Sequence, residues 1–273
     1  MAANKASGRA QTQADVADIH DLYEQSVQDV EVEVDFLTET YEQLRGKPAR
    51  HFREDFCGTA SAACEWVSRH PDNTAVGVDL DRPTLDWGIE HRASRLSAAE
   101  QLRIKLVNDN VLHADTAPAD IIGAFNFSYF IFRTRDALRE YFEAAHRSLK
   151  KDGVLMLDAF GGSEAHSELK EKTKLDGFTY VWHQAKHHPV TGFIRCHIHF
   201  HFKDGSKLKK AFTYEWRLWS LPEIQELLSE AGFSRSTVYW EGVDEDGEGD
   251  GHYAPNAAGD ADPAWIAYIV AER

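Results

Sequence analysis

Five short strand patterns between His51 and Gly162, alternating with helical patterns, constrain this chain more than any other feature. Strand–helix alternation repeated in this way specifies a parallel sheet with helices on both faces. The second run, Ala75-Val76-Gly77-Val78-Asp79-Leu80-Asp81, is apolar on both faces, as a strand buried between helix layers should be. The third, fourth and fifth cover residues 103–107, 120–127 and 154–159. Sheets of this class bind ligands beyond the carboxyl ends of their strands. Polar residues collect at those ends: Glu54, Asp79, Asn108-Asp109-Asn110 and Asn126-Phe127-Ser128-Tyr129. One acid at a strand end is commonplace; four polar ends in succession mark a binding edge.

Residues 51–61 read as the first strand, a tight turn and the start of a helix. Glu54 closes the strand, Gly58 occupies the turn, and Thr59, Ala60, Ser61, Ala62 and Ala63 are small. Gly58 has no Cβ to obstruct a ligand and can take φ > 0. The free N–H groups of the following helix point toward the same crevice. An acid at this strand tip suits a ligand with an amino group or hydroxyls and suits a pyrophosphate poorly. A dinucleotide site would need Gly-x-Gly-x-x-Gly here; Cys57-Gly58-Thr59-Ala60 supplies one glycine.

The formal net charge of -15 argues against a nucleic-acid partner, since phosphate binding needs clustered Lys and Arg. No apolar run approaches the length of a membrane span, and the first residues lack the apolar centre of a signal peptide. Cys57, Cys64 and Cys196 show no zinc-type spacing, and a reducing, cytoplasmic setting is the simplest reading. Before the first strand, residues 16–45 carry a helical pattern with two apolar sets, and residues 1–14 read as a flexible tail.

These residues resemble the class I S-adenosylmethionine-dependent methyltransferases, with most specificity between Arg53 and Gly162. The Glu54-x-x-Cys57-Gly58-Thr59-Ala60 run is similar to that family's first motif, with Ala60 replacing a glycine. Gly77-Val78-Asp79-Leu80 is similar to the second, which implies that Asp79 accepts hydrogen bonds from the ribose hydroxyls. Asn108-Asp109-Asn110-Val111 falls at the adenine contact, with Asp109 and Asn110 both open as the contacting residue. Asn126-Phe127 falls near the methionine part and the transferable methyl. Leu149-Lys150-Lys151-Asp152-Gly153 resembles the run before the fifth strand, with the proline and first glycine replaced. Tyr23 and Gln28 fall where the small-molecule N-methyltransferase subgroup closes a segment over the cofactor. The resemblance implies S-adenosyl-L-methionine as cofactor, held by Tyr23, Arg53, Glu54, Cys57, Gly58, Thr59, Asp79, Leu80, Asp109, Asn110, Val111, Asn126 and Phe127. It further implies a doubly wound, Rossmann-like α/β sheet of seven strands, the last antiparallel. The core spans residues 15–162 and is completed by a helix and hairpin in residues 220–273.

After Gly162 the period changes. Residues 178–184, 192–202 and 209–218 read as three antiparallel strands, an inserted lid covering residues 163–219. Arg195, His197, His199 and His201 alternate with Cys196, Ile198, Phe200 and Phe202, so one face is polar and the other apolar. Three histidines on one strand face invite a metal reading; a half-exposed face bonded to neighbours, or one histidine lining the substrate pocket, ranks above it, and no metal is expected. The acidic run Asp244–Gly251 lacks the spacing of a calcium loop and reads as solvated, or as a mouth attracting a cationic substrate.

Function follows as an expectation: a methyltransferase acting on a small-molecule acceptor, an amine first. An O-methyltransferase and a non-catalytic cofactor-binding regulator are the alternatives. Should an amine arrive protonated, His199, Tyr214 and Glu241 are the candidate catalytic groups. Neither nucleic acid nor membrane is an expected partner, and an exposed lid edge offers a second copy a place to pair as a homodimer.

Overall fold

The computed structural model describes residues 11–243 and 249–273. Three helices come first: α1 (Gln13–Val16), α2 (Ile19–Val27) and α3 (Val30–Arg45). Aspartates divide them. Asp18 accepts from the His20 and Asp21 amides at the start of α2, and Asp29 accepts from the Val32 amide at the start of α3. Part of the expected tail is therefore helical, and the Gln13 amide donates to Asp204 at 2.8 Å; residues 1–10 lie outside the described residues.

The alternation then runs β1 (His51–Asp55), α4 (Ser61–Arg69), β2 (Thr74–Asp79), α5 (Arg82–His91), α6 (Ala98–Gln101), β3 (Ile104–Asn108), β4 (Ala119–Ala124), α7 (Arg135–Ser148) and β5 (Leu149–Gly161). A second group of strands follows: β6 (Leu169–Lys174), β7 (Phe178–His188), β8 (Phe193–Phe202) and β9 (Lys207–Arg217). The chain ends with α8 (Leu221–Glu230), β10 (Arg235–Val243), β11 (Gly249–Pro255) and β12 (Trp265–Glu272).

The main sheet has eight strands in the order β11-β10-β12-β5-β4-β1-β2-β3. Strands β1 to β5 are mutually parallel where they pair, and β12 runs antiparallel to β5, as expected. The eighth strand, β11, comes from the segment read as an acidic loop; it pairs antiparallel to β10 through Tyr239↔Pro255 and Glu241↔Tyr253. Residues 244–248 of that acidic run lie outside the described residues. The second sheet, β6-β7-β8-β9, has four antiparallel strands against the three expected. Strand β6 escapes sequence reading because Lys170, Lys172 and Lys174 leave it without an apolar face.

Apolar layers cover both faces of the main sheet. One gathers Ile122, Leu155, Leu157, Leu138, Phe142, Leu227 and Trp219; the other gathers Phe52, Ile121, Met156, Trp66, Leu37 and Tyr41. A third cluster joins Leu22 of α2 to Phe178, Ile198 and Phe200, so α2 packs against the second sheet. Among the described residues no helix is long and apolar enough to cross a membrane.

Candidate active site

The turn after β1 is built from left-handed backbone: Phe56 at φ 58°, Gly58 at φ 53° and Ala60 at φ 60°. Phe56 and Ala60 carry side chains there, a conformation that costs about 1–2 kcal/mol per residue. Strain of this kind persists where surrounding contacts over-determine the backbone. Gly88 of α5 supplies one such contact, since a Cβ on it would lie 2.3 Å from the Thr59 carbonyl oxygen. A Cβ built on Gly58 would meet Thr84 Cγ2 at 3.9 Å, an ordinary contact, so the backbone there is not crowded.

Asp79, at the tip of β2, accepts from the Gly58 amide at 2.8 Å and from the Asp81 amide at 2.8 Å. Each carboxylate oxygen can accept more than one hydrogen bond, so acceptor capacity remains for a ligand's hydroxyls. Glu24 of α2 closes over the same turn. Its Oε1 accepts from Thr59 Oγ1 at 2.5 Å and from Ser61 Oγ at 2.8 Å, and Arg92 holds its Oε2. Asp18 accepts from Trp87 Nε1 at 2.7 Å, which fixes α2 to α5.

Glu54 does not face the crevice as a free carboxylate. It is buried and accepts from the Ala63 amide at 2.9 Å, satisfying one of the unpaired donors in the first turn of α4. Burial, opposed by that hydrogen bond, pushes its carboxyl up to about 8. Arg53 corrects the sequence reading more directly. The guanidinium is 1 % exposed and bonded to Asp55 at 2.7 Å, to Thr116 Oγ1 at 3.1 Å and to the Val111 carbonyl at 3.0 Å. Asp55 also accepts from the Tyr141 hydroxyl at 3.1 Å. Arg53 therefore holds the Val111 segment under β1 from inside the protein, with no donor left at the surface to meet a cofactor. Cys57 is buried beneath the turn, and burial raises its thiol well above the ordinary range.

The other strand ends remain open. Leu80 is 66 % exposed. Asp109 accepts from the Asn110 amide at 2.7 Å, and Asn110 accepts from the Leu112 amide at 3.0 Å, so both sit in one exposed turn after β3. Asn126 and Phe127, after β4, both stand at φ 57°. Asp158 on β5 holds them there, accepting from the Asn126 amide at 2.7 Å and the Phe127 amide at 2.9 Å. Burial raises Asp158 to about 7 against the pull of those two amides. It was overlooked as a site residue although it too sits near a strand's carboxyl end.

Next to Asn126 and Phe127 is a cavity of about 420 Å³. Its walls are aromatic: Tyr23 from α2, Phe127, Phe160, Tyr180 and Trp182 from β7, and Tyr214 and Trp216 from β9. Tyr214 and Trp216 stack at 4.3 Å between centroids, and Phe127 lies 4.7 Å from Phe160. Glu164, Glu171 and Glu241 also line it. Tyr23 and Tyr214 both line the cavity, and burial raises both phenols above their ordinary value. Tyr214 therefore stays protonated near neutrality and can orient an acceptor without serving as a phenolate base. Glu241 sits at the cavity's other end, accepting from the Gly251 amide at 3.1 Å.

His199 is on the wrong face. Ile198 and Trp216 turn one face of the second sheet to the cavity; His199 lies on the other with His183 and His197. Its Nδ1 accepts from the Lys210 amide at 2.9 Å, which leaves Nε2–H to donate to His183 Nδ1 at 3.2 Å. Burial and the neighbouring His183 and His197 lower it to about 4, so it is neutral near pH 7. Among the described residues no group of three or more His, Cys, Asp or Glu is disposed to hold a metal ion.

No protein-family profile matches the chain, and no curated protein matches it in sequence. Solved structures match in fold. An S-adenosylmethionine-dependent methyltransferase from Clostridium acetobutylicum aligns with TM-score 0.68 at 16% identity, over 93% of this chain and 96% of that one. An amino pentose methyltransferase from Micromonospora echinaspora, solved with S-adenosylmethionine bound, gives 0.66 at 16% identity over 93% and 95%. A sugar N-methyltransferase from Streptoalloteichus gives 0.63 at 17% identity over 100% and 98%. The chain shares the fold of these methyltransferases over at least 93% of its length.

Proposed function

We propose that this protein is an S-adenosylmethionine-dependent methyltransferase acting on a small-molecule amine. One juxtaposition carries the reading: the Gly58 turn tied to Asp79 lies along the same strand-end edge as an aromatic cavity that begins at Asn126 and Phe127. The residues present fit the cofactor. The uncrowded backbone at Gly58 would admit a ligand, Asp79 has acceptor capacity for ribose hydroxyls, and Asp109 and Asn110, in the turn after β3, would meet the adenine. Bound S-adenosylmethionine supplies an electrophilic sulfonium methyl group. The chain's own work is positioning: Asp158 fixes Asn126 and Phe127 between cofactor and acceptor, and the cavity walls exclude water. Aromatic faces attract a cation, and three glutamates in the lining add to that attraction. Amines are therefore favoured over neutral hydroxyl compounds. A reducing cytoplasmic compartment suits the three buried thiols Cys57, Cys64 and Cys196.

The similar structures include sugar and amino pentose methyltransferases, which makes amino sugars the first acceptors to assay. Release of S-adenosylhomocysteine is the readout, with amines and matched hydroxyl compounds in parallel. Turnover of amines alone is the expected result. Turnover of hydroxyl compounds alone would favour O-methylation, and tight cofactor binding without any turnover would favour a regulator.

A further inference from the structure

The polar face of β8 has no part in the aromatic cavity, yet it leads into a second cavity. Arg195 and Phe193 lie on that face, two residues apart. Arg195 is opposite Lys186 on β7 and Glu215 on β9, and Phe193 is opposite Arg217. Cross-strand partners share a face, so these five side chains stand on one side of the second sheet. A bulge between Gln184 and Lys186 carries β7 from one face to the other, so that Gln184 lines the aromatic cavity and Lys186 the second one. Arg133, from the segment before α7, and Thr191, in the turn between β7 and β8, complete the second cavity, of about 450 Å³.

Its wall is cationic. Arg133, Lys186, Arg195 and Arg217 converge there, in a chain whose formal net charge is -15. Two of the four are anchored. Arg195 donates to Glu215 from Nε at 3.0 Å and from Nη2 at 2.7 Å, and Arg217 donates to Glu223 at 2.7 Å while lying 3.7 Å from the Trp219 ring centroid. Among the described residues Arg133 and Lys186 have no acidic partner. The Arg133 and Arg195 guanidinium groups lie 5.8 Å and 5.6 Å from the centroid of Phe193. Two like charges drawn to one ring repel each other, and an anion beside them relieves that repulsion. Thr191 Oγ1 accepts from the Phe193 amide at 3.3 Å, which leaves its hydroxyl hydrogen to donate. His188 apart, four cations against Glu215 and Glu223 leave two positive charges uncompensated, the charge of a phosphate dianion.

We propose that this second cavity binds the phosphate group of a small soluble molecule. Arg195 and Arg217, held in place by glutamates, present their remaining N–H groups, and Arg133 and Lys186 supply the uncompensated charge. Guanidinium forks match phosphate oxygens, and a single carboxylate would leave part of the charge unmet. The volume admits a body attached to the phosphate. The overall negative charge of the chain opposes an anionic bilayer as the source of that phosphate. The site stands apart from methyl transfer, because it opens on the sheet face turned away from the aromatic cavity.

The test is calorimetric titration of inorganic phosphate, in constant sodium chloride and without S-adenosylmethionine, into wild type, Lys186→Gln, Arg195→Gln and Glu215→Gln. Saturable one-to-one binding by wild type is expected. Lys186→Gln and Arg195→Gln should each weaken it about tenfold, the size of one charge-assisted hydrogen bond. Glu215→Gln, which removes a carboxylate from the wall, should tighten it, a gain that a misfolded variant cannot produce. Absence of saturable binding in wild type, or one affinity shared by all four proteins, overturns the site. Sedimentation with phosphatidic acid vesicles separates the two sources of phosphate. Protein left in the supernatant is the expected result; cosedimentation that Lys186→Gln abolishes would overturn a soluble molecule as the ligand. S-adenosylhomocysteine, titrated into the same four proteins, should bind all of them alike. A wild type that fails to bind it defeats the methyl-transfer reading and leaves the phosphate result standing.

Discussion

Glu54 and Asp158 each sit near the carboxyl end of a core strand and each is buried, with raised carboxyls of about 8 and about 7. The folded chain therefore keeps two protons that the unfolded chain releases in the ordinary carboxylate range. Their contribution to stability is full below that range and is lost as pH climbs toward 7 and 8. We expect the melting temperature of the ligand-free protein to fall between pH 5 and pH 9, and Glu54→Gln to flatten the upper part of that fall. A wild-type melting temperature that rises over this interval would contradict the burial argument. Position in a strand told where Glu54 stands along the chain; which way its carboxyl points depended on the Ala63 amide of the next helix. Arg53 shows the same limit from the other side. Its place beside the first motif was readable, but its three internal bonds arise from Asp55, Thr116 and Val111, brought together only by folding.

At the scale of elements, the second sheet separates what alternation can and cannot say. The two-faced pattern of β8 was plain in the sequence, but which face meets the cavity is decided by how the sheet lies on α2 and the core. The apolar face does, through Ile198 and its neighbours Tyr214 and Trp216, and the histidines face away. His199→Ala should accordingly change kcat/KM by no more than about twofold, in line with substitutions remote from a site. Trp216→Ala should lower it by about a hundredfold through lost positioning; the reverse order in steady-state assays would put the chemistry on the other face. The packing of α5 against the turn is equally specific. A methyl group at Gly88 would meet the Thr59 carbonyl at 2.3 Å. Gly88→Ala should cost about 1–3 kcal/mol in denaturant unfolding and weaken S-adenosylhomocysteine binding; undiminished binding would show the turn to be irrelevant to it.

For the molecule as a whole, the parallel half was legible because strand and helix patterns alternate and the strand ends carry polar residues, with the second strand apolar on both faces. Strands β6 and β11 were not, since one is lined with lysines and the other with glycine and acids, and both owe their existence to a neighbouring strand that pairs with them. The proposed cofactor edge rests on residue types at strand ends, whereas the aromatic cavity is assembled from α2, β5, β7, β9 and β12, far apart in sequence. The central claim is that the Gly58 turn and Asp79 hold the nucleoside of S-adenosylmethionine. Calorimetric titration of S-adenosylmethionine and S-adenosylhomocysteine into wild type and Asp79→Ala tests it most directly. The account expects binding by wild type and a loss of about 10–100-fold in the variant, the magnitude of hydrogen bonds to a charged group, with circular dichroism unchanged. Folded wild-type protein that binds neither nucleoside, or an Asp79→Ala variant that binds as tightly as wild type, would contradict it.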